Sequence, residues 1–204
     1  ITVLEGEQVE VTIPVLKLKE VPLKFEFSNV PAGYDPAELN ASISPATIRI
    51  AGAADTVDGI ESVNAGFINL ARVQLGKAET LKIQLSEGLV NVDDVQEATV
   101  TFDTSGYGEP RAITVSDIRV VNAPSGVDVK VITESINNVT LVGEAEELAA
   151  ISPSDVIAQV DASAQNITVK GSGQQQFSAQ IIVTGTKTVF ATGAYSVLCD
   201  ITGK

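Results

Sequence analysis

The chain contains no histidine, no tryptophan and no methionine, a single cysteine, and only 4% aromatic residues. Each absence removes a class of chemistry. Zinc sites draw on His and Cys ligands, which this chain cannot assemble. Nucleophilic triads of the Ser-His-Asp or Cys-His kind are excluded for want of a base. One cysteine rules out a disulfide framework within the chain. That fits either a reducing cytoplasm or the outside of a bacterium that does not rely on disulfides. Scarce aromatics remove the stacking platforms on which carbohydrate clefts depend. Basic residues are also few: 13 Lys and Arg stand against 26 Asp and Glu, for a net charge of −13. Such a surface repels phosphate backbones and has no counterion-release term, so nucleic acid is not the expected ligand. A polybasic contact with a membrane surface is excluded on the same ground. No run approaches the roughly 18 apolar residues of a membrane span, and no signal-peptide pattern opens the chain. The start at Ile1, in strand-like sequence, marks the expectation of a processed or excised piece of a longer protein.

What is present is aliphatic and repetitive. The hydrophobic content is 44%, and Val and Ile dominate its alternating stretches, a composition suited to pleated sheet. Ser28-Asn29-Val30-Pro31-Ala32-Gly33-Tyr34 returns as Val121-Asn122-Ala123-Pro124-Ser125-Gly126-Val127, with Asn122 lying 93 positions after Asn29. Ile48-Arg49-Ile50-Ala51-Gly52 returns as Val139-Thr140-Leu141-Val142-Gly143 at an offset of 91, and Ile68-Asn69-Leu70 as Val160-Asp161-Ala162 at 92. Three matches in one order at nearly one offset define a repeat too long for a solenoid unit and the right size for a small domain.

Each half reads as mostly strand with one short helix. Gln8–Val15, Lys24–Phe27, Thr47–Ile50, Gly66–Leu70, Thr80–Leu85 and Ala98–Phe102 carry strand patterns in the first half. Val156–Asp161, Ile167–Lys170, Phe177–Val183 and Ala194–Ile201 do so in the second. Val57, Ile60 and Val63 fall at helical spacing. Glu144–Ile151 is a stronger helix, with early glutamates, a stop at Pro153, and Leu148 and Ile151 as its buried stripe. Asn29–Asp35 is a Pro/Gly turn, Gly171–Gln176 a polar turn, and Thr104–Pro110 the linker. The expected division is therefore 1–19 as a leading strand, read also as the end of a preceding repeat, then repeats at 20–110 and 111–204.

Candidate chemistry is sparse. Cys199 lies in an alternating run on one face with Tyr195 and Val197, which makes it a small buried hydrophobe. Asp93-Asp94 offers loop oxygens to calcium but lacks the spacing of a calcium loop, so it reads as a solvated acidic turn. Glu144, Glu146 and Glu147 read as a solvated helix face. Gly171-Ser172-Gly173 lacks the Lys-Ser/Thr and the strand-to-helix setting of a phosphate loop. The triplets at Asn40, Asn138 and Asn166 match a glycosylation acceptor only by composition. No catalytic, cofactor or metal residue is assigned, and no binding residue can be named.

The repeated residues resemble the YbbR-domain family. The resemblance rests on Asn29–Tyr34, Ser44–Gly52, the apolar helix at Val57 and Ile60, and Ile68–Leu70. In the second copy it rests on Ala123–Val127, Val139–Gly143, Leu148, Val160-Asp161 and Gly193-Ala194-Tyr195. It covers roughly residues 20–202. Two departures concern module ends: Pro45 has Ile136 as its counterpart, and the closing Gly-x-Tyr of copy two is replaced in copy one by Glu97-Ala98-Thr99-Val100. The resemblance implies mainly β modules in tandem, each with one short helix, similar to the C-terminal β domain of L25-type ribosomal proteins. It implies an extracytoplasmic location behind an N-terminal transmembrane helix outside this chain, and no catalytic residues or cofactors. It further implies a regulatory protein–protein contact with a membrane diadenylate cyclase, which makes cyclic di-AMP. The alternative reading is a structural or adhesive β array on a bacterial surface. Exposed strand edges suit either one to pairing with another protein.

Overall fold

The computed structural model describes residues 15–168 and 171–203. The strand expected over residues 8–14 and the end of the one expected at 167–170 lie outside these. Val15 and Leu16 precede β1 (Lys17–Ser28), and the expected boundary at residue 19 falls inside that single strand. There follow β2 (Ala41–Ser44), β3 (Thr47–Gly52), α1 (Ala54–Asp58), β4 (Val63–Asn69), β5 (Glu79–Lys82), β6 (Val90–Asn91) and β7 (Glu97–Phe102). The second half runs β8 (Arg111–Val115), β9 (Asp117–Val121), β10 (Val127–Val131), β11 (Ile136–Val142), α2 (Ala145–Ala150), β12 (Val156–Asp161), β13 (Ser172–Val183), β14 (Phe190–Thr192) and β15 (Tyr195–Gly203). Among the described residues the fold is mainly β with two short α-helices, as the alternation of Val and Ile predicts.

One strand organises each half by changing partners midway. The first part of β1 pairs antiparallel with β3, from Lys17↔Gly52 to Pro22↔Thr47. Its second part pairs parallel with β4, from Leu23↔Val63 to Ser28↔Asn69. The change falls at Pro22, which has no N–H to give to a ladder. In the second half the same path is broken at Ser116 into two strands. β8 pairs antiparallel with β11, and β9 pairs parallel with β12. The other pairings recur as well. β3–β6 matches β11–β14, β2–β7 matches β10–β15, and β5–β7 matches β13–β15.

Local chemistry recurs at the same offsets. Lys19 donates from Nζ to the carbonyls of Ile60 (2.6 Å) and Val57 (3.4 Å). At the equivalent place Arg111 donates from Nη1 to Ile151 (2.9 Å) and Leu148 (3.3 Å). A helix of five or six residues leaves most of its carbonyls without intrahelical partners, and a cation over its C-terminal end satisfies them and complements its dipole. Val57 and Leu148 are the buried anchors of α1 and α2. Asn29 and Asn122 both take left-handed φ, 49° and 53°, at the end of the partner-changing strand. Asn69 and Asp161 each accept from the backbone N–H two residues on, at 3.0 Å.

Alternating burial fixes the cores. Val21, Leu23, Ile48, Ile50, Val63 and Ala98 centre the first half. Val115, Val139, Leu141, Val156, Phe177 and Cys199 belong to the larger core of the second. Three sequence expectations change. The helical spacing of Val57, Ile60 and Val63 is not kept, since α1 ends at Asp58 and Val63 opens β4, where it pairs with Leu23. Gly171–Gln176 is not a turn beyond its first residue. Ser172 to Gln176 pair with β15, from Ser172↔Thr202 to Gln176↔Leu198, and this ladder overrides their polar composition. Ile167 and Thr168 lie outside any strand.

Gly52 and Gly143 mark a close approach at equivalent places, with different tightness. A Cβ on Gly52 would meet the Gly88 carbonyl oxygen at 3.0 Å and Val57 Cγ2 at 3.2 Å. On Gly143, where φ is 156°, it would meet the Thr188 oxygen at 2.4 Å and the Val189 Cα at 2.7 Å. Backbone atoms cannot step aside, and the conformation itself disfavours a side chain. Gly143→Ala is expected to cost about 3 kcal/mol or more, and Gly52→Ala about 1 kcal/mol. Urea unfolding of the two variants checks the order, and equal or inverted losses would contradict it.

Candidate functional site

Two features stand out where the sheets end: the junction between the halves, and an open edge in the first half. At the junction, Tyr34 and Leu39 enter from the segment after the Pro31–Gly33 turn, and Leu70 and Val73 from the loop after β4. Val142 at the end of β11 and Phe190 at the start of β14 meet them from the second half. The Tyr34 and Phe190 rings lie 4.3 Å apart, tilted at 47°. The linker closes the contact. Gly108 N–H donates to Gly143 O (3.0 Å), and Ala145 N–H donates to Gly106 O (3.0 Å). Gly193 N–H reaches across to Ala71 O at 2.6 Å.

The hydroxyls of Tyr34 and Tyr107 are both buried here without a hydrogen-bond partner. Burial is the main reason the Tyr34 phenol is pushed well above its ordinary range, with Tyr107 beside it adding to the effect. Burial also raises Tyr107. These groups stay neutral, and their role is packing. Beside the junction lies a cleft of about 530 Å³, bordered by Asn29, Asn69 and Arg72 from one half and Asp161, Gln180 and Tyr195 from the other. The Tyr195 hydroxyl is already committed, accepting from Thr140 N–H at 2.9 Å and donating to Thr192 O at 2.6 Å.

The open edge is β4. In the second half its counterpart β12 pairs with β13, from Val156↔Val183 to Gln159↔Gln180. In the first half β5 stops at Lys82 and forms no ladder with β4. A groove of about 460 Å³ remains between them, lined by Asn64, Gly66, Phe67, Thr80, Leu81 and Gln84. Phe67 is 61% exposed on this edge. The register slips between Lys24 and Glu26, and Gly66 N–H turns back to Asn64 Oδ1 at 2.8 Å.

The residues singled out from sequence do not converge. Asp93 accepts from the backbone N–H of Arg49 and from its Nε, both at 2.7 Å, and these contacts hold its carboxyl below the usual range. Asp94 occupies a left-handed turn position. Glu144 and Glu146 are exposed. Glu147, expected on the same solvated face, is instead held by the Thr188 hydroxyl at 2.7 Å and by Thr186, which lower its pKa. The correction has a physical reason: the loop before β14 folds back over α2 and supplies donors that the helix sequence does not reveal. Cys199 is fully buried, and burial pushes its thiol up, away from nucleophile chemistry. Among the described residues no group of three or more Asp, Glu or Cys is placed to hold a metal ion. Among them, too, no helix is long and apolar enough to cross a membrane.

Residues 21–115 match the family model described as YbbR-like protein. No curated protein matches it. Among solved structures, the chain is similar to SuR18C from Streptococcus thermophilus at 20% identity and a TM-score of 0.35. That likeness covers 45% of this chain and 89% of the other. It is also similar to a YbbR-like protein from Streptococcus pneumoniae TIGR4 at 18% identity and a TM-score of 0.32, covering 98% and 99%.

Two predictions follow from the geometry. Tyr34→Phe removes a hydroxyl that has no partner and is expected to be neutral or slightly stabilising. Tyr34→Ala opens the junction and is expected to cost about 3 kcal/mol or more. A large loss in the phenylalanine variant, read by thermal melting, would mean the hydroxyl is bonded. For Asp93 the folded pKa lies below the unfolded one. Its contact with Arg49 therefore contributes fully above the unfolded carboxylate pKa and is lost as pH falls through the folded value. Arg49→Gln is expected to move the Asp93 titration upward in a carboxyl NMR experiment, and an unchanged midpoint would refute the pairing.

Proposed function

We propose that the two halves are tandem YbbR-like modules, 20–110 and 111–204, with 1–19 leading into the first. We further propose that they act without catalysis, as extracytoplasmic parts of a membrane-anchored regulator that contacts a membrane diadenylate cyclase. The observation that carries the module reading is the recurrence of all five strand pairings of the first half in the second, with a cation, Lys19 or Arg111, over the equivalent helix end. The match of residues 21–115 to the YbbR-like family model supports the regulatory reading. The β4 edge supplies a surface of the right kind. Its unfilled ladder offers backbone groups to an extended segment of a partner, and Phe67 offers an apolar anchor beside them.

The test is cyclic di-AMP in cells that co-express the cyclase with the full-length parent, with a parent lacking both modules, or with no parent. The reading expects the parent to change the nucleotide level, and Phe67→Asp to weaken that change at least severalfold without altering the amount of folded protein. Equal nucleotide levels in all three strains, with no co-purification, would overturn regulation and leave the structural array in its place. An effect retained without the modules would move regulation to the anchor.

A further inference from the structure

The cleft of about 530 Å³ beside the junction differs in chemistry from the acidic surface around it. The chain has a net charge of −13, yet the lining holds one anion, Asp161, and one cation, Arg72. Asp161 is fully used. One of its oxygens accepts from the backbone N–H and the hydroxyl of Ser163, at 3.0 and 2.7 Å, and the other accepts from Asn122 at 2.9 Å. Arg72 is exposed and joins no ion pair among the described residues. Its guanidinium is therefore the one uncompensated charge of the cleft. Most of the other polar groups are carboxamides. Gln159 on β12 and Gln180 on β13 stand opposite each other in register, and Asn29 and Asn69 border the cleft from the first half. The second half ties its equivalents of these asparagines together, since Asn122 donates to Asp161. In the first half Asn69 Oδ1 accepts from Ala71 N–H at 3.0 Å, and the Asn29 carboxamide keeps no side-chain partner among the described residues. Gln159 occupies the place that Phe67 holds 92 positions earlier, so the strand position itself does not call for an amide.

We propose that this cleft binds a short extended peptide of small residues, with its free C-terminal carboxylate on Arg72 and its peptide groups on Gln159, Gln180 and Asn29. A carboxamide carries a donor and an acceptor together, which is the pair that a peptide N–H and C=O require. A guanidinium meets a carboxylate through paired N–H bonds, and one unpaired cation suits one carboxylate. The apolar lining includes Ala71, Ala164 and Ala194, whose small side chains leave shallow floor and no deep pocket for a large residue. A sugar is the poorer match. The one aromatic in the lining is Tyr195, and its hydroxyl is already committed to Thr140 and Thr192. The volume falls in the range of roughly 300–1,000 Å³ that small-ligand sites occupy. The site goes beyond the proposed contact with the cyclase, because neither the β4 edge nor Phe67 borders this cleft.

The experiment titrates tetra-alanine with a free C-terminus into the 204-residue chain and follows the NMR signals of side-chain amides and of arginine Nε. Saturable shifts are expected at Asn29, Gln159, Gln180 and Arg72. Tetra-alanine with an amidated C-terminus is expected to bind about tenfold more weakly. Arg72→Gln is expected to weaken binding of the acid by about the same factor and to erase the difference between acid and amide. Gln159→Leu is expected to weaken both peptides severalfold and to keep the preference for the acid. Backbone amide spectra of the two variants, unchanged away from the cleft, show that each still folds. No saturable shift at these groups with millimolar tetra-alanine would overturn the proposal. Equal affinity of the native chain for acid and amide would overturn it too, because Arg72 would then hold no carboxylate. Shifts at the same groups with glucuronate, and none with tetra-alanine, would assign the cleft to a sugar acid and overturn it as well. Cyclic di-AMP levels play no part in this readout, so its failure is separate from failure of the regulatory reading.

Discussion

The packing of Tyr34 against Phe190 is the contact on which the arrangement of the chain depends. Each half has its own core, but neither core reaches the other. What joins them is one apolar cluster fed by four loops or strand ends, with Val142, Leu70 and Val73 around the two rings. Aromatic rings are scarce in this sequence, and Tyr34, Phe190 and Tyr107 are all placed here. An aromatic pair with a large contact area and few rotamers fixes an angle between the halves that a linker of Gly and Ser would leave free. The backbone bonds from Gly108 to Gly143 and from Gly193 to Ala71 then have a defined geometry to act in.

The two halves reach the same topology with different side chains, and the differences are informative. Lysine serves at one helix end and arginine at the other, because what each helix lacks is donors for its last carbonyls, and either cation supplies them. The β4 edge is where the halves part. Ladder closure between β12 and β13 needs a long β13, and β13 runs 12 residues where β5 runs four. The first half therefore keeps an edge that the second half has used internally. A bulge at Gly66 is the sort of device that limits indiscriminate pairing of such an edge.

Much of this was legible in the sequence. Val/Ile alternation identified β3, β7, β12 and β15, and the offsets between the Pro-x-Gly turns and between Gly52 and Gly143 placed them in register. Helix position followed from Val57 and Leu148. The two- and three-residue strands β6 and β14 were not legible, since Val90-Asn91 and Phe190–Thr192 are too short to show a period and are strands only because β3 and β11 lie beside them. The polar run Ser172–Gln176 was misread for the same reason, as a ladder partner distant in sequence decided its conformation. β10 and β9 also went unseen, being half-buried edges with weak contrast. Phe190 carried no mark of its role, because its segment shows no period, and only the fold shows that it packs in a core shared between halves. Glu147 looked like its exposed neighbours until Thr186 and Thr188 were brought to it.

The most direct test of this account is whether the halves are one body in solution. Residual dipolar couplings of backbone amides in residues 17–102 and 111–203 can be fitted separately for alignment. The account predicts a single alignment tensor for both halves in the native chain, and two distinct tensors in Phe190→Ala, with each half still showing its own folded spectrum. Two tensors of different magnitude in the native chain would contradict it.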